Sequence, residues 1–465
     1  MTINRKIAAC ITGFSFVAYG AYAQKHPNII LINIDDLGWT DLTYQGSSYY
    51  ETPNVDKLKK SGVYFSQAYT SASNSAPSRA SLMTGQYTPR HGIYTVGSSE
   101  RGNARDRKLI PYPNKEILDT DILTLPKVLK KAGYKTCHIG KWHIGENPYP
   151  YGFDINIAGD ARGNPDSYFA PYNNPYLPDG PQGEYLPDRL ANEVVNFLKT
   201  VDKNQPFFLN YATYLVHGPL QPKPDLLEKY LKKPTTDAHN NPNYAAMVEA
   251  MDNSIGKVLG ALDSLELSQN TIIIFTSDNG GLYHVSKQWP LRAGKGSYYE
   301  GGIRVPMIIA WAGTIDGGHE SAQVVSQIDI FPTLLHIMGI KKPKEHVLDG
   351  ISLLSTLKTP SQQTSRTLFW HLPAYLENGN EQTTDPVFRS RPVSVIRKGD
   401  WKLIENFETG KFELYNLAND ISEKKNLINI EKKKAKEMKA MLIKNQNNTH
   451  APIHFNLNPQ YNNLI

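Results

Sequence analysis

The sequence predicts an α/β protein with a large, mostly parallel central sheet flanked by helices, followed by a small C-terminal α+β subdomain with a short antiparallel sheet. Runs rich in β-branched residues alternate with helical patterns over roughly 300 residues, as in a layered fold built around a parallel sheet. After about residue 355 the pattern changes to closely spaced short strands. We therefore expect a first domain over residues 24–355 and a C-terminal subdomain over residues 356–465.

The first residues have the features of a secretory signal peptide, which we assign to residues 1–23. Arg5 and Lys6 form the positive start, residues 7–19 are mostly apolar, and residues 21–23 (Ala-Tyr-Ala) resemble a cleavage site. The apolar run is shorter than the about 20 residues of a membrane-spanning helix, so we favour a signal over a membrane anchor. We predict an exported protein, periplasmic, secreted or surface-exposed, without a stable membrane span.

The composition excludes several classes of protein. The chain has 465 residues, of which 40% are hydrophobic and 20% charged, and this is typical of a globular protein. Its two cysteines, Cys10 and Cys137, are too few for a disulfide-rich scaffold, and Cys10 lies within the predicted signal. The formal net charge of +6 comes without an arginine-rich stripe, so we predict no nucleic-acid partner.

The central sheet is predicted from four apolar runs. Residues 28–34 (NIILINI) and 271–277 (TIIIFTS) are nearly continuous in apolar and β-branched residues, which favours buried strands of a parallel sheet. Shorter runs at 206–211 and 305–311 predict two further strands. Helical spacing of apolar residues predicts the helices of this domain, at 121–132, 190–201, 244–264 and 328–338.

The remaining regions are of two kinds. Residues 140–190 and 280–300 are rich in Gly, Pro, Tyr and Asn, and loops of that length in a compact domain are usually functional. The C-terminal subdomain is predicted to contain a lysine-rich helix at 422–444 and four short strands, at 366–371, 392–397, 401–406 and 411–415. An apolar stripe opposite the lysines indicates that they form a solvated face.

Acidic and amide side chains follow the two strongest strand predictions. Asp35 and Asp36 come directly after the first run, and Asp278 and Asn279 come directly after the second. Parallel neighbouring strands would bring these side chains together at the ligand-binding edge of the sheet. Carboxylates that close repel one another, and all-oxygen ligands favour Ca²⁺ or Mg²⁺ over Zn²⁺ as the ion that removes the conflict. The alternative is two unrelated turns, since Asp and Asn-Gly are common after strands.

The segment at 75–85 (SAPSRASLMTG) carries the second chemical signal. Ser78 could cap a short helix whose N-terminal N–H groups face an anion, and Arg79 adds a cation; the alternative is an ordinary capped helix. The segment resembles the signature of type I sulfatases, Cys/Ser-x-Pro-Ser-Arg followed by Thr-Gly. In that family the first residue is oxidised to formylglycine, an aldehyde. Here that residue is Ser75, which resembles the bacterial serine form matured by a radical-SAM enzyme.

Further blocks of the chain resemble the same family in the same order. They are residues 51–56 (ETPNVD), 140–145 (GKWHIG), 217–220 (HGPL), 291–297 (LRAGKGS) with 300–306 (EGGIRVP), and 413–417 (ELYNL) with 426–427 (NL). The resemblance implies an alkaline-phosphatase-like sandwich. It also implies a sulfatase that depends on Ca²⁺, on formylglycine and on a formylglycine-generating maturase.

The resemblance also implies a role for each matching position. The metal ligands would be Asp35, Asp36, Asp278, Asn279 and the modified Ser75. Arg79 and Lys141 would hold the formylglycine and the sulfate oxygens, and His143 would act as base on a formylglycine hydroxyl. His217 and Lys295 would contact the sulfate and assist the leaving alcohol. One hydroxyl of the hydrated aldehyde would attack sulfur, and the other would later release sulfate.

Five further residues are candidates for contact with a sugar. Trp289 and Arg292 flank the late lysine block, and Asp160 and Arg162 lie in a loop rich in turn residues. His371 lies in the C-terminal subdomain, which in this family often reaches back towards the pocket. The alternative for His371 is a structural role.

The resemblance and the predicted export together favour a sulfatase that is exo-acting on sulfated glycans, such as mucin O-glycans or glycosaminoglycans. Our preferred substrates are galactose and N-acetylgalactosamine sulfates. The alternative enzyme is a phosphodiester or phosphonate ester hydrolase of the same superfamily. A non-enzymatic glycan-binding protein is the third hypothesis, and it requires that Ser75 is never modified. The chain has no Gly-x-Ser-x-Gly elbow, which argues against a serine esterase.

Overall fold

The computed structural model describes residues 26–383 and 385–462. The predicted signal peptide, residues 1–23, lies outside these described residues, and so does Cys10. Within them the predicted α/β architecture is confirmed, because a large sheet lies between helices and an antiparallel sheet follows near the C-terminus. No helix in the described part of the chain has the length and apolar character needed to cross a membrane.

The elements follow one another in the alternating order that the sequence predicts. The strands are β1 Asn28–Ile34, β2 Gly62–Phe65, β3 Ala68–Tyr69, β4 Lys135–Gly140, β5 Ile155–Ile157, β6 Phe207–Ala212, β7 Thr271–Ser277, β8 Met307–Trp311, β9 His319–Ser321, β10 Val325–Ser326, β11 Thr367–Leu372, β12 Leu376–Glu377, β13 Phe388–Ser390, β14 Val393–Lys398, β15 Trp401–Asn406 and β16 Phe412–Asn416. The α-helices are α1 Pro53–Lys60, α2 Ser75–Thr84, α3 Thr88–His91, α4 Leu125–Lys131, α5 Leu186–Thr200, α6 Pro224–Lys232, α7 Pro242–Ser264, α8 Glu300–Ile303, α9 Ile330–Ile337, α10 Leu354–Lys358 and α11 Lys432–Thr449.

The main sheet has eight strands in the order β5-β4-β6-β1-β7-β8-β2-β9. The strands from β5 to β7 are parallel, whereas β8 runs antiparallel to both β7 and β2. The two strongest strand predictions, β1 and β7, are neighbours, with Asn28 opposite Thr271 and Ile34 opposite Ser277. Their carboxyl ends therefore meet at the same edge of the sheet.

The side chains of β1 alternate between two apolar cores, one on each face of the sheet. Ile30, Ile32 and Ile34 pack in the core that includes α5 and α7, and Ile29 and Leu31 pack in the core that includes α2, α4 and α9. All five side chains are fully buried. Because both faces of the sheet are covered, the strand has a continuous apolar sequence instead of an alternating one.

The C-terminal region forms an antiparallel sheet in the order β11-β14-β15-β16. One face packs against the first domain at Tyr69, Ala293 and Ile303. The other face is covered by α11, which contributes Ala435, Met438 and Leu442 to a shared core. Strands β12 and β13 pair separately from this sheet, as a small hairpin between the two regions.

The lysine-rich helix begins later than the sequence predicts. The prediction was residues 422–444, whereas α11 starts at Lys432 and ends at Thr449. The carboxylate of Asp420 accepts hydrogen bonds from the backbone N–H groups of Lys424 and Lys425, at 3.2 and 2.8 Å. These bonds turn the chain and give the backbone a local alternative to a helix.

The structure contains a strand that the sequence did not predict, and it differs from one further prediction about local structure. Strand β4 was not predicted, because its sequence KTCHIG lacks the long apolar run of its neighbours, although all but Lys135 are buried. Ser78 does not cap α2, which begins three residues earlier, at Ser75. The Ser78 hydroxyl instead bonds to the buried side chains of Thr70 and Gln327.

Candidate active site

Parallel strands deliver the candidate residues to one edge of the main sheet. The residues lie just beyond the strand ends: Asp35 and Asp36 after β1, Lys141 and His143 after β4, His217 beyond β6, and Asp278 and Asn279 after β7. Asn33 of β1 and Gly140 of β4 are both opposite Ala212 of β6, so these strands end at one level. The crevice beyond such strand ends is where α/β proteins bind ligands.

The polar residues after β1 and β7 bind one another. The backbone N–H of Asp36 donates to Oδ1 of Asp278 at 3.1 Å, and the side-chain amide of Asn279 donates to Oδ1 of Asp36 at 2.8 Å. Asp36 has a φ of 63°, in the left-handed region that residues other than glycine seldom adopt. Such a conformation persists where surrounding contacts fix it, and it is common at functional sites.

Helix α2 brings Ser75 and Arg79 to this cluster. Ser75 is the first residue of the helix and is buried, with Oγ 3.4 Å from Oδ1 of Asp35 and 3.3 Å from Oδ1 of Asn279. Arg79 lies four residues later, on the same face of the helix. Its Nε donates to Oδ2 of Asp278 at 2.9 Å, and its Nη2 lies 2.8 Å from the same oxygen.

Lys141 reaches the cluster because β4 and β6 approach closely at Gly140. A Cβ at Gly140, which has a φ of 103°, would lie 2.0 Å from the carbonyl oxygen of Ala212, so only glycine fits. The ammonium group of the next residue, Lys141, lies 2.7 Å from Oδ2 of Asp35 and 3.3 Å from Oγ of Ser75. Lys141 thus contacts both a candidate metal ligand and the candidate nucleophile.

His143 is held by the loop that carries Asp160 and Arg162. Its backbone N–H donates to the carbonyl of Asp160 at 3.0 Å, and Asp160 pairs with Arg162 at 2.7 Å. Nδ1 of His143 is buried and has no hydrogen-bond partner among the described residues, so a ligand or a modified side chain could bind it. Burial, and then the charge of Lys141, holds the pKa of His143 well below its usual value, so the ring is neutral.

Lys295 and His217 contact Asp36 on the more open side of the cluster. Nζ of Lys295 lies 2.7 and 2.8 Å from the two carboxylate oxygens of Asp36. Nε2 of His217 lies 3.7 Å from Oδ2 of Asp36, and its Nδ1 donates to the carbonyl of Gly218 at 2.8 Å. Because a carbonyl only accepts, Nδ1 carries a proton, and Nε2 is the ring nitrogen that faces Asp36.

The cluster contains equal numbers of opposite charges in direct contact. The carboxylates are Asp35, Asp36 and Asp278, and the cations are Arg79, Lys141 and Lys295. Burial raises the pKa of Asp35 and lowers the pKa of its partner Lys141. Burial also acts on Asp36 and Asp278, but the cations around them outweigh it and hold the pKa of each below its usual value.

The donor atoms of the cluster fit a hard divalent cation. The structure brings together all the residues that were predicted as ligands, namely Asp35, Asp36, Ser75, Asp278 and Asn279. Their donors are carboxylate, amide and hydroxyl oxygens, which Ca²⁺ and Mg²⁺ prefer. One ligand atom from each of Asp35, Asp36 and His217 also lies within 4.8 Å of the others.

The two residues near the late lysine block lie outside this cluster. Trp289 is 60% exposed, borders a surface cavity of about 330 Å³ and has Nζ of Lys424 4.5 Å above its ring. Arg292 stacks on Tyr299 at 3.7 Å and donates to the carbonyl of Glu423 at 2.9 Å. Arg292 therefore fastens the lysine loop to the C-terminal region.

His371 does not lie at the site, and its predicted substrate contact is not supported. The side chain is 1% exposed, between the C-terminal sheet and the end of the chain. Its Nε2 donates to the carbonyl of Pro452 at 3.0 Å, and its Nδ1 accepts from the hydroxyl of Ser394 at 2.7 Å. Both ring nitrogens are therefore occupied within the protein, which favours the structural alternative for His371.

Arg389 lies beside Lys295, although no motif in the sequence predicts it. Its Nη1 donates to the backbone carbonyl of Lys295 at 3.1 Å, and a Cβ added at Gly296 would lie 2.9 Å from its guanidinium. Its position depends on the hairpin of β12 and β13, which is a tertiary feature. The local sequence offers only a pair of arginines, Arg389 and Arg391, as a signal.

Two family models match the chain. A model described as Sulfatase matches residues 27–340, which is more than half of the chain and includes the whole charged cluster. A model described as N-sulphoglucosamine sulphohydrolase, C-terminal, matches residues 294–451, including the antiparallel sheet and α11.

Known proteins resemble the chain over most of its length. It is 36% identical to a protein named Sulfatase from Formosa agariphila, over 91% of this chain and 90% of that protein. It is 33% identical to the N-acetylgalactosamine-6-sulfatase of Mus musculus, over 80% of this chain and 73% of that protein. The crystal structure of Ps i-CgsB in complex with k-i-k-neocarrahexaose has a TM-score of 0.75 to this chain, with 31% identity over 94% of both chains.

Proposed function

The chain belongs to the sulfatase family and is a sulfuric ester hydrolase; from this premise we propose that it is an exported carbohydrate sulfatase that acts through Ca²⁺ and a formylglycine made from Ser75. The single observation that carries the proposal is the environment of Ser75. Its Oγ lies within 3.4 Å of Asp35, Asn279 and Lys141, at the first residue of α2. A nucleophile there faces buried oxygen ligands and a fixed cation.

Asp35, Asp36, Asp278 and Asn279, with the modified Ser75, would hold the ion. When bound, Ca²⁺ adds two positive charges to a cluster whose own charges balance, and so supplies attraction for an anionic ester. The buried carboxylate of Asp35, whose pKa is raised by burial, supports this assignment, because a buried carboxylate is stabilised by a nearby cation.

Ser75 would be oxidised to formylglycine, whose hydrate supplies one oxygen to attack sulfur and a second to release sulfate. Arg79 and Lys141 would fix the orientation of this side chain and offset the charge of the sulfate oxygens. Their own positions are fixed by Asp278 and Asp35, at 2.8 and 2.7 Å, so little reorganisation is needed during the reaction.

His143 and His217 would move the protons. The neutral His143 ring, whose buried Nδ1 has no hydrogen-bond partner in the described part of the chain, would take a proton from the modified side chain. His217 and Lys295 lie on the other side, against Asp36. They would contact the sulfate and supply a proton to the leaving sugar oxygen, which is a basic leaving group.

The substrate would be a sulfated glycan, with galactose and N-acetylgalactosamine sulfates as the preferred sugars. Support comes from the relatives, since one is named N-acetylgalactosamine-6-sulfatase and another was solved with k-i-k-neocarrahexaose. Asp160 and Arg162, beside His143, are the better sugar-binding candidates of the predicted set. Trp289 is a candidate only for a more distant part of the glycan, because it borders a separate cavity.

Export and maturation complete the proposal. The signal-like residues 1–23 support export to the periplasm or the cell surface. The serine form of the signature supports a radical-SAM maturase as the partner that modifies Ser75. The chain would have no nucleic-acid partner, in keeping with its modest net charge.

Mass spectrometry of the modified segment tests this mechanism. In protein made in its native host, the tryptic peptide 61–79 is expected to be lighter than the serine peptide by two hydrogen atoms, or to appear as the hydrate of that aldehyde. Protein made without the maturase should retain serine and bind sulfated sugar without turnover. A peptide that is always unmodified would refute the mechanism and favour a glycan-binding protein.

A matched pair of substrates separates the two enzymatic hypotheses. The sulfate ester of a sugar and the corresponding phosphodiester or phosphonate ester are compared by kcat/KM. We expect a clear preference for the sulfate ester, and a preference for the phosphorus ester would instead identify a phosphodiester or phosphonate hydrolase. A panel of sulfated galactose, N-acetylgalactosamine and glucosamine derivatives then identifies the sugar and the sulfated position.

A further inference from the structure

A cavity lies beside Lys295, and the C-terminal region contributes one of its walls. The cavity has a volume of about 630 Å³, which is in the range of small-molecule sites. It is lined, among others, by Tyr283, His284, Lys295, Asn378, Asn380 and Arg389. Lys295 also binds Asp36 in the charged cluster, so this cavity and the proposed sulfate site share a residue.

The guanidinium of Arg389 is held in this wall by neutral groups. Its Nε donates to the backbone carbonyl of Glu377 at 2.9 Å, and its Nη1 donates to the backbone carbonyl of Lys295 at 3.1 Å. In residues 26–383 and 385–462 no carboxylate forms an ion pair with it. The side chain is half-buried and fixed by two strands and a loop, yet its charge is not neutralised.

The neighbouring arginines have acidic partners. Arg101 lies 2.7 Å from Oε1 of Glu377. Glu377 is on β12, which pairs with β13, the strand of Arg389. Arg391 directly follows β13 and forms ion pairs with both Asp385 and Glu408. The ion pairs of Glu377, Asp385 and Glu408 thus go to other arginines, and this leaves the guanidinium of Arg389 available to an anion from outside the protein.

A cation without an ion-pair partner in a partly desolvated cavity favours binding of an anion. Burial, and then the positive charge of Arg101, lowers the pKa of Arg389, and the opposing charges of Glu377 and Asp36 do not outweigh these two effects. A guanidinium with fixed geometry binds a carboxylate or a sulfate oxygen pair strongly, because both hydrogen bonds are charge-assisted. Glu381 accepts a hydrogen bond at 2.8 Å from the hydroxyl of Tyr283, which lines the cavity.

We propose that Arg389 is a specificity-determining residue that binds a second anionic substituent of the glycan, a sulfate ester or a carboxylate, next to the sulfate that is removed. The inference rests on the proposed function. It extends that function by naming the substrate class, a glycan with two anionic groups close together. A ligand in this cavity would present one group to the Lys295 side of the cluster and the other to Arg389.

The test uses three sulfated sugars that share the sulfate to be removed. The first has no other charge, the second has a second sulfate on the same or the next sugar, and the third is linked to a uronic acid. Wild-type enzyme should have a higher kcat/KM for the second or the third than for the first. Whichever is preferred identifies the anion as sulfate or carboxylate, and equal values for all three would overturn the proposal.

The Arg389→Met variant assigns the preference to this side chain. We expect its kcat/KM to fall about 10- to 100-fold on the preferred dianionic sugar. This is the loss expected when a charge-assisted hydrogen bond to the substrate is removed. On the singly charged sugar we expect a smaller loss, which measures the support that Arg389 gives to the Lys295 loop. Arg389→Lys should recover part of the loss, and Lys287→Met, which removes an exposed charge nearby, should leave the preference intact. An equal loss on all three sugars would assign Arg389 to support of the Lys295 loop alone.

A binding measurement distinguishes failure of this inference from failure of the proposed function. Protein with unmodified Ser75 is titrated with the singly and doubly charged sugars by calorimetry, for wild type and Arg389→Met. We expect tighter binding of the doubly charged sugar in wild type only. If wild type hydrolyses no sulfated sugar but shows this binding difference, the proposed mechanism fails and Arg389 remains an anion-binding residue. Equal affinities in both proteins would overturn the inference, whatever the activity.

Discussion

The ammonium group of Lys141 lies 2.7 Å from Oδ2 of Asp35, and both side chains are fully buried. The same nitrogen lies 3.3 Å from Oγ of Ser75. One lysine therefore links a carboxylate that is a candidate metal ligand to the residue that is a candidate for oxidation. Its position follows from the close approach of β4 and β6 at Gly140, so the backbone of the sheet determines the geometry of the site.

Replacing Lys141 by methionine should lower kcat/KM by about 10²–10³-fold, because a fixed cation is lost from the charge that develops on sulfate. The change also leaves Asp35 buried without its partner, which costs about 3–5 kcal/mol of folding free energy. Activity is measured below the unfolding temperature, with the modified fraction of Ser75 determined by mass spectrometry. Lys131→Met, on the exposed end of α4, is the matched control, and an active Lys141→Met enzyme would contradict the assignment.

Ser75→Ala should abolish turnover while leaving the fold intact. The serine hydroxyl is 3.3–3.4 Å from its partners, which are long contacts of modest worth, so we expect a loss of less than about 1 kcal/mol in the free energy of unfolding. Denaturant unfolding measures the stability of the variant, and sulfate release measures its turnover. Sulfate release by the purified variant above the rate without enzyme would show that another residue is the nucleophile.

Calcium should stabilise the protein through the cluster at the strand ends. At a hundred-fold excess over its Kd the ion adds about 2.7 kcal/mol to the free energy of unfolding. We expect Tm to rise with Ca²⁺ after chelation, and this rise to be lost in Asp278→Asn but kept in Glu345→Gln, an exposed acid far along the chain. A shift of equal size in Asp278→Asn would place the ion elsewhere.

Glu423 should make stability depend on pH. Burial raises its pKa from 4.5 to about 7, with Lys402 opposing and the nearby charge of Glu300 adding to the effect. The folded protein therefore binds more protons than the unfolded chain between these two values, and stability from this group is lost as pH rises from 4.5 to about 7.

Denaturant unfolding of wild type and Glu423→Gln measures this effect as a difference. The stability of wild type relative to the variant should fall by on the order of 2–3 kcal/mol from pH 4.5 to pH 7. Glu345→Gln should show no such slope. A difference that stays constant, or that rises with pH, would contradict the raised pKa.

His371→Asn should weaken the fold and leave substrate binding unchanged. The variant loses hydrogen bonds to Ser394 and to the carbonyl of Pro452, so the free energy of unfolding should fall by about 1–3 kcal/mol. We expect KM within about two-fold of wild type. His319→Asn, at an exposed position, controls for the substitution itself, and a large rise in KM would restore His371 as a substrate contact.

Much of the site could be predicted because it lies where buried parallel strands end. Asp35 and Asp278 follow the two longest apolar runs, and the sequence of such runs is continuous when both faces of the sheet are covered. Lys141 was found from its motif alone, since β4 is too short and polar to be recognised as a strand. Arg389 could not be found, because its position depends on the pairing of Glu377 with Phe388 and on a hairpin that packs beside Lys295.

The loop that carries Lys295 is fastened at both ends to the C-terminal region, through Arg292 to the carbonyl of Glu423 and through the carbonyl of Lys295 to Arg389. Residues of the C-terminal region thus position a lysine of the charged cluster. We therefore expect a chimera with a foreign C-terminal region to misalign Lys295, so that a change made in this region also alters the geometry of the charged cluster.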